Sequence, residues 1–278
     1  ATRYAGDVAK LLSRHNHRLY RQGRRYHIRI GMDVGANFTS AEVYALRPDW
    51  MVYGAWKKAF ETFLNNNKEE MDALASNGGK ARWQDFRVDH GLDLANVANA
   101  ELDGVMFDAA GTQLPIQTGE FVLSRTHNEA GAFRTFTWGA AGGSSFSILA
   151  EYANMANTPA NPSTVTSTAA YQDLDDDTQS NGVLHLSGAG NEPPYDALNL
   201  EQATPFVKVA QLGTDANGVQ VLSTGFFEAP CGIFIVRTNT FDGEDSSFYL
   251  EAKSGGYKGV MAESMGTAKL VKNHYEVK

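Results

Sequence analysis

One cysteine, Cys231, stands alone in 278 residues, which excludes an internal disulfide and gives no support to a cysteine-rich zinc site. Set in PCGIFIV beside an apolar run, it reads as a buried thiol in a reducing compartment. No apolar run approaches the roughly 18 residues of a membrane-spanning helix. The opening residues also lack the charged-then-apolar pattern of a secretory leader, so the NFT triplet at 37–39 is not read as a glycosylation acceptor. Catalytic signatures are missing as well: the chain holds no G-x-S-x-G elbow, no H-E-x-x-H and no C-x-x-C. The glycine-rich GAAGGSSF and LSGAGNEPP fit neither dinucleotide nor phosphate-loop spacing and read as turns. The letters HNH at 15–17 sit in a basic helical pattern without the ββα metal frame of a nuclease. These absences point away from an enzyme.

Bases are fewer than acids, 24 Lys and Arg against 32 Asp and Glu, yet they gather at one end. Residues 1–35 hold Arg3, Lys10, Arg14, Arg18, Arg21, Arg24, Arg25 and Arg29 against Asp7 and Asp33. The remainder carries 16 bases and 30 acids. A basic segment on an acidic body is the pattern of a chain that meets a polyanion on one side.

Between Val8 and Gln22 the apolar residues Val8, Leu11, Leu12 and Leu19 recur at helical spacing, with Lys10, Arg14, Arg18 and Arg21 on a second stripe and Gly23 as a stop. The spacing predicts a short basic helix. RRYHIRIGM then alternates: Tyr26, Ile28, Ile30 and Met32 on one face, Arg25, His27 and Arg29 on the other. FTSAEVYAL predicts the next strand. Pro48-Asp49 opens a helical stretch over 49–76, in which Tyr53, Trp56, Phe60 and Phe63 form a stripe that reads as core. After residue 80 short β-branched and aromatic runs follow one another, among them RWQDFRV, SFSILAEY, NGVLHLSG, PFVKVAQL, GIFIVRT and SFYLEAKSG. Turn chemistry at Asn217-Gly218 and Asp242-Gly243 separates several of them. The polar stretch containing Pro159 and Pro162 reads as a long exposed loop. The fold class expected is mainly β: an antiparallel β-sandwich, specifically a single jelly roll, with an inserted helix near 49–76. Residues 1–23 are expected as a basic N-terminal segment and 24–278 as the sandwich domain.

Three readings of the basic end compete. A membrane-surface helix wants bulky aromatic residues on its apolar side, and this one offers Val and Leu. A solvated face is the bland reading of any cationic run. Nucleic acid is favoured because the cations are nearly all Arg, whose planar fork suits phosphate. Arg14, Arg18, Arg21, Arg24, Arg25, His27 and Arg29 are the expected contacts, with Tyr20 and Tyr26 available to stack on bases. The expectation requires that these guanidinium groups are not paired with carboxylates of their own chain. Asp173, Asp175, Asp176 and Asp177 cluster in DLDDDT; they read as a solvated loop or as a Ca²⁺ site at a subunit interface.

The basic HRLYRQGRRYHIRI, the helix after the second strand, and the closing APCGIFIVRT and YLEAKSGGYKGV resemble capsid (coat) proteins of small icosahedral single-stranded viruses. Most similar are the single-jelly-roll coats of marine circular single-stranded DNA viruses, the bacilladnavirus-like group, and nodavirus-type coats, which usually carry a denser basic arm. The resemblance implies a structural virion protein, assembled inside a host cell, many copies of which close into an icosahedral shell. It implies that residues around 14–29 face the lumen and a single-stranded genome, DNA in preference to RNA. The polar loop near 157–168 would face outward, with subunit contacts through the sandwich flanks and 49–76. It implies no catalysis, no cofactor and no membrane, and no motif indicates a receptor. The alternatives are a lectin-like sandwich, using Trp50, Trp83 or Trp138 against sugars and the Asp173–Asp177 cluster for calcium, and a cupin-like enzyme.

Overall fold

A computed structural model describes residues 2–33, 40–76, 83–107, 109–110, 112–115, 121–127, 131–140, 142, 144–157, 205–214, 220–238 and 247–267. In chain order the elements are β1 (Thr2–Asp7), α1 (Val8–Asn16), β2 (Arg24–Asp33), β3 (Ser40–Leu46), α2 (Trp50–Asn66), α3 (Lys68–Ser76), β4 (Asn99–Glu101), β5 (Val105–Phe107) and β6 (Gln113–Pro115). They continue with β7 (Arg125–His127), β8 (Phe133–Thr137), β9 (Ser145–Ser147), α4 (Ile148–Asn157), β10 (Phe206–Thr214), β11 (Gln220–Val221), β12 (Phe227–Pro230) and β13 (Ile233–Thr238). The last are β14 (Ser247–Ala252), β15 (Ser254–Gly255), β16 (Gly259–Val260), β17 (Ala262–Ser264) and a 3₁₀ turn at Met265–Thr267. The chain is mainly β, with several sheets, as expected. Among the described residues no helix is long and apolar enough to cross a membrane.

Two sheets carry the core. A six-stranded sheet runs β11-β10-β3-β13-β1-β4, and a four-stranded sheet runs β12-β2-β14 with β17 also on β2. The alternation in β2 is realised: Tyr26, Ile28, Ile30 and Met32 are buried and join Ala41 and Val43 of β3, Leu212 of β10, Ala229 of β12 and Phe234 and Val236 of β13 in one cluster. Inner side chains from both sheets therefore share a core, an arrangement consistent with a β-sandwich. At about 25 cal/mol per Å² such burial is the main stabilising contribution. The aromatic stripe of α2 is core too, with Trp56 and Phe63 buried and packed on Phe86. The buried thiol is borne out: Cys231 is fully enclosed.

All of these elements except α4 lie in a compact unit made of residues 1–149 and 204–278; α4 enters a second unit, 150–203, described only over its helical start. The segment set apart by charge, 1–23, supplies β1 and α1. Thr2–Asp7 pair with β13 on one side and β4 on the other, a strand that the sequence reading missed.

Several local expectations change. The first helix ends at Asn16 instead of reaching Gln22, because His17 takes a left-handed backbone conformation and its N–H bonds to the Ser13 carbonyl. Ser13 Oγ then accepts from the Tyr20 N–H at 2.7 Å, and Tyr20 turns into the core. Asp7 caps the start, accepting from the Lys10 N–H at 3.0 Å. SFSILAEY gives only the three-residue β9 before α4 begins at Ile148. RWQDFRV has no strand over its described residues 83–88, although Phe86 and Val88 are buried. The segments NGVLHLSG and 158–168 and the cluster Asp173, Asp175, Asp176 and Asp177 lie outside the described residues.

Candidate nucleic-acid interface

The expected cationic ridge is taken apart by pairing. Arg14 has a side chain only 5% exposed and bonds to Asp103. Arg25 bonds to Glu263 and meets Glu228 at 3.3 Å. Arg29 bonds to Glu251 across the strand pair β2–β14. Arg21 is half exposed but lies 3.6 Å from Asp85 and donates to the Gln84 carbonyl at 3.1 Å. Arg24 stacks over the Tyr257 ring, 3.5 Å from its centroid, and donates to the Ala262 carbonyl at 3.3 Å. His27 is half-buried on the same face of β2 as Arg25 and Arg29. Arg18 is exposed, together with His15 and His17, and among the described residues no carboxylate pairs with it.

The condition set from the sequence, guanidinium groups unpaired within the chain, is therefore not met at Arg14, Arg25 or Arg29, and only partly at Arg21. The two stacking tyrosines are withdrawn as well. Tyr20 and Tyr26 are buried, their hydroxyls donating to the Lys258 and Arg21 carbonyls at 2.9 and 2.7 Å. The acids that do this pairing come from positions 85, 103, 228, 251 and 263, distant in sequence. No local pattern announces them.

Beneath the ridge lies a polar node that ties three segments together. Arg87, 4% exposed, donates to Asp7 Oδ2 at 3.1 Å and lies 3.6 Å from Asp85. Gln22 donates to Asp7 Oδ2 at 3.1 Å and to the Val88 carbonyl at 3.0 Å, while its own oxygen accepts from the Val88 N–H. Asp85 Oδ2 accepts from the Gln22 N–H at 2.8 Å. Burial pushes the Asp85 carboxyl above its usual range, against the Gln22 N–H and the Arg87 and Arg21 charges that pull it down. A neighbouring cavity of about 160 Å³ is lined by Asp7, Lys10, Arg87, His90 and Glu101 among others. Lys10 bonds to Glu101 and Arg87 to Asp7, so its main cations already have partners.

A second buried group surrounds Arg25. Tyr53 of α2 donates to Glu228 Oε1 at 2.6 Å and sets its ring 5.7 Å from the guanidinium. Burial, reinforced by Glu228, raises the Tyr53 hydroxyl. For Arg25 burial works against its charge, but Glu228, Tyr53 and Glu263 outweigh it and its affinity for the proton rises. Such groups hold a fold together; they are not poised to meet a solvent-borne phosphate.

For the lectin alternative, Trp138 is buried and Trp83 is 66% exposed. Among the described residues no group of three His, Cys, Asp or Glu side chains is arranged to hold a metal. Compared with protein families, curated proteins and solved structures, the chain matches none.

Proposed function

We propose that the chain is a capsid subunit: a single jelly roll that self-assembles into an icosahedral virion shell around a single-stranded genome, DNA in preference to RNA. The observation that carries this reading is the nested pairing of early strands with later ones. β1 pairs antiparallel with β13, β2 with β12, and β3 with β10. Over these pairs the rungs alternate between the six-stranded and the four-stranded sheet, with β14 and β17 added on β2 and β4 parallel on β1. Winding of that kind supports the jelly-roll reading. β13 also lies against β3, as closing the roll requires.

The same winding serves lectins and cupins, and fold alone does not choose among them. What favours a shell is the surface. Trp83, Val97, Val122 and Phe133 are each more than half exposed, and a shell would cover such groups with neighbouring subunits. The role requires no catalytic step.

The part assigned to the basic end becomes narrower. In this reading Arg18 and Arg21 contact phosphate, while Arg14 and Arg25 serve the fold. Negative-stain microscopy of the purified full chain over a range of salt and pH is expected to show closed particles of uniform diameter. Monomers or small oligomers under every condition would overturn the proposal.

A further inference from the structure

The outer face of the four-stranded sheet is closed at one end and open at the other. At the Arg25 end α2 lies over it: Tyr53 meets Glu228, and a side chain at Gly23 would run into the Trp56 ring. At the Gly31 end two rings stand in solvent, Phe226 at 45% and Tyr249 at 47% exposure.

Tyr249 does not project. It faces Gly31 in the β2–β14 register, and a Cβ on Gly31 would overlap the tip of its ring. The ring thus lies across the strand backbone with its other side open to solvent. A glycine inside a strand marks such a close approach, and the lying ring is the signal that the alternation pattern hid. Phe226 precedes β12 on the other flank of β2, with the Arg29 guanidinium 5.4 Å and the Lys253 ammonium 5.9 Å from its ring centroid. Lys253 is exposed, and its N–H bonds to the His27 carbonyl at 2.9 Å, so it continues the same row. Glu251, bonded to Arg29, and Glu228, opposite His27, are carboxylates on the same face.

We propose that this open end binds single-stranded nucleic acid, with bases stacking on Tyr249 and Phe226 and phosphates held by Lys253 and by Arg29 as it exchanges the surface carboxylate of Glu251 for phosphate. The inference rests on the nucleic-acid half of the reading above but assigns the contact to a different surface. Flat rings with flanking cations match an unstacked polynucleotide, which offers a π-face and a phosphate at each step. A duplex hides its bases from such rings. A neutral glycan has no use for the cations, and an acidic peptide has none for the rings. The chain is acidic overall, net −8, so the exposed Lys253 beside exposed rings gives the polyanion a place to settle.

The test is fluorescence anisotropy of a labelled oligo-dT probe with the full chain, below the concentration at which particles form. Phe226→Ala with Tyr249→Ala is expected to weaken binding about tenfold or more. Gly31→Ala, which displaces the Tyr249 ring while leaving the strand backbone in reach of any residue, is expected to do part of the same. Lys253→Gln should lower the log–log salt slope by about 0.7, the share of one phosphate on a single strand. Circular dichroism and thermal melts establish that each variant is folded. If Arg18→Gln with Arg21→Gln abolishes binding while the ring variants bind like the parent, this inference falls and the reading above stands. No binding by the parent chain overturns both. Equal binding of a duplex, or loss of a glycan and not of the oligonucleotide on ring removal, also overturns it.

Discussion

The two ends of β2 carry the same kind of residue on the same face and put it to different use. Arg25, under α2, is 7% exposed and bound to two carboxylates with a tyrosine hydroxyl beside them. Arg29, four residues on, is 38% exposed with one partner, itself about half exposed. What differs is the cover. A cation becomes framework when a second element closes over it with acids, and stays a contact group when nothing does. Alternation reads the face a side chain takes; it does not read what packs on that face.

That comparison is tested at greatest amplitude in the polar node, where framework pairing is deepest. Arg87 and Asp85 have side chains 5% exposed, and Arg87→Met would leave Asp7 and Asp85 buried without their shared cation. The expected loss is about 3–5 kcal/mol in urea unfolding. A loss below about 1 kcal/mol would mean that the node is solvated and that the distinction drawn here is wrong. The next step is the direct contrast within β2. Arg25→Gln strands Glu228 under α2 and is expected to cost about 2–3 kcal/mol. Arg29→Gln removes a surface pair and should cost less than about 1 kcal/mol. Equal losses at the two sites would erase the comparison.

Much of the framework was legible because it depends on local periodicity. β2, β3, β10, β13, β14 and the helical stretch 49–76 follow from alternation, helical spacing and the Asp49 cap, whose carboxylate accepts from the Val52 N–H at 2.9 Å. β1 was hidden because TRYAGD gains its strand character from β13 and β4 and shows little pattern of its own. The spacing predicts too long a first helix because it continues past His17, whereas the left-handed backbone of His17 ends the helix. The site was the least legible part. Its arginines were visible, but their partners arrive from elements up to 238 residues away, and Tyr249 lies in SFYLEAKSG, whose pattern marks a strand and not an exposed ring.

The smallest expected effect separates two carboxylates by the sign of their response to acid. Glu42 on β3 accepts from Lys208 at 2.7 Å and from the Tyr44 hydroxyl at 2.8 Å. The Lys208 bond, then the Tyr44 bond, holds its carboxyl below the usual range. A carboxyl depressed in the folded state adds stability above its unfolded pKa, and that stability is lost as pH falls through the folded value. Asp85 is the reverse case. With its folded pKa raised by burial, the folded state holds the proton more tightly, so Asp85 favours folding most in acid and less as pH rises through the folded value. In thermal melts from neutral to strongly acidic pH, the deficit of Glu42→Gln relative to the parent should therefore shrink as acid is added. Over the same range the parent should gain on Asp85→Asn. Lys208 is exposed, so the first shift is small and weakens with salt; the second, arising in the buried node, should persist in salt. Shifts of the same sign for the two variants would show that burial does not divide these charges as the two ends of β2 suggest.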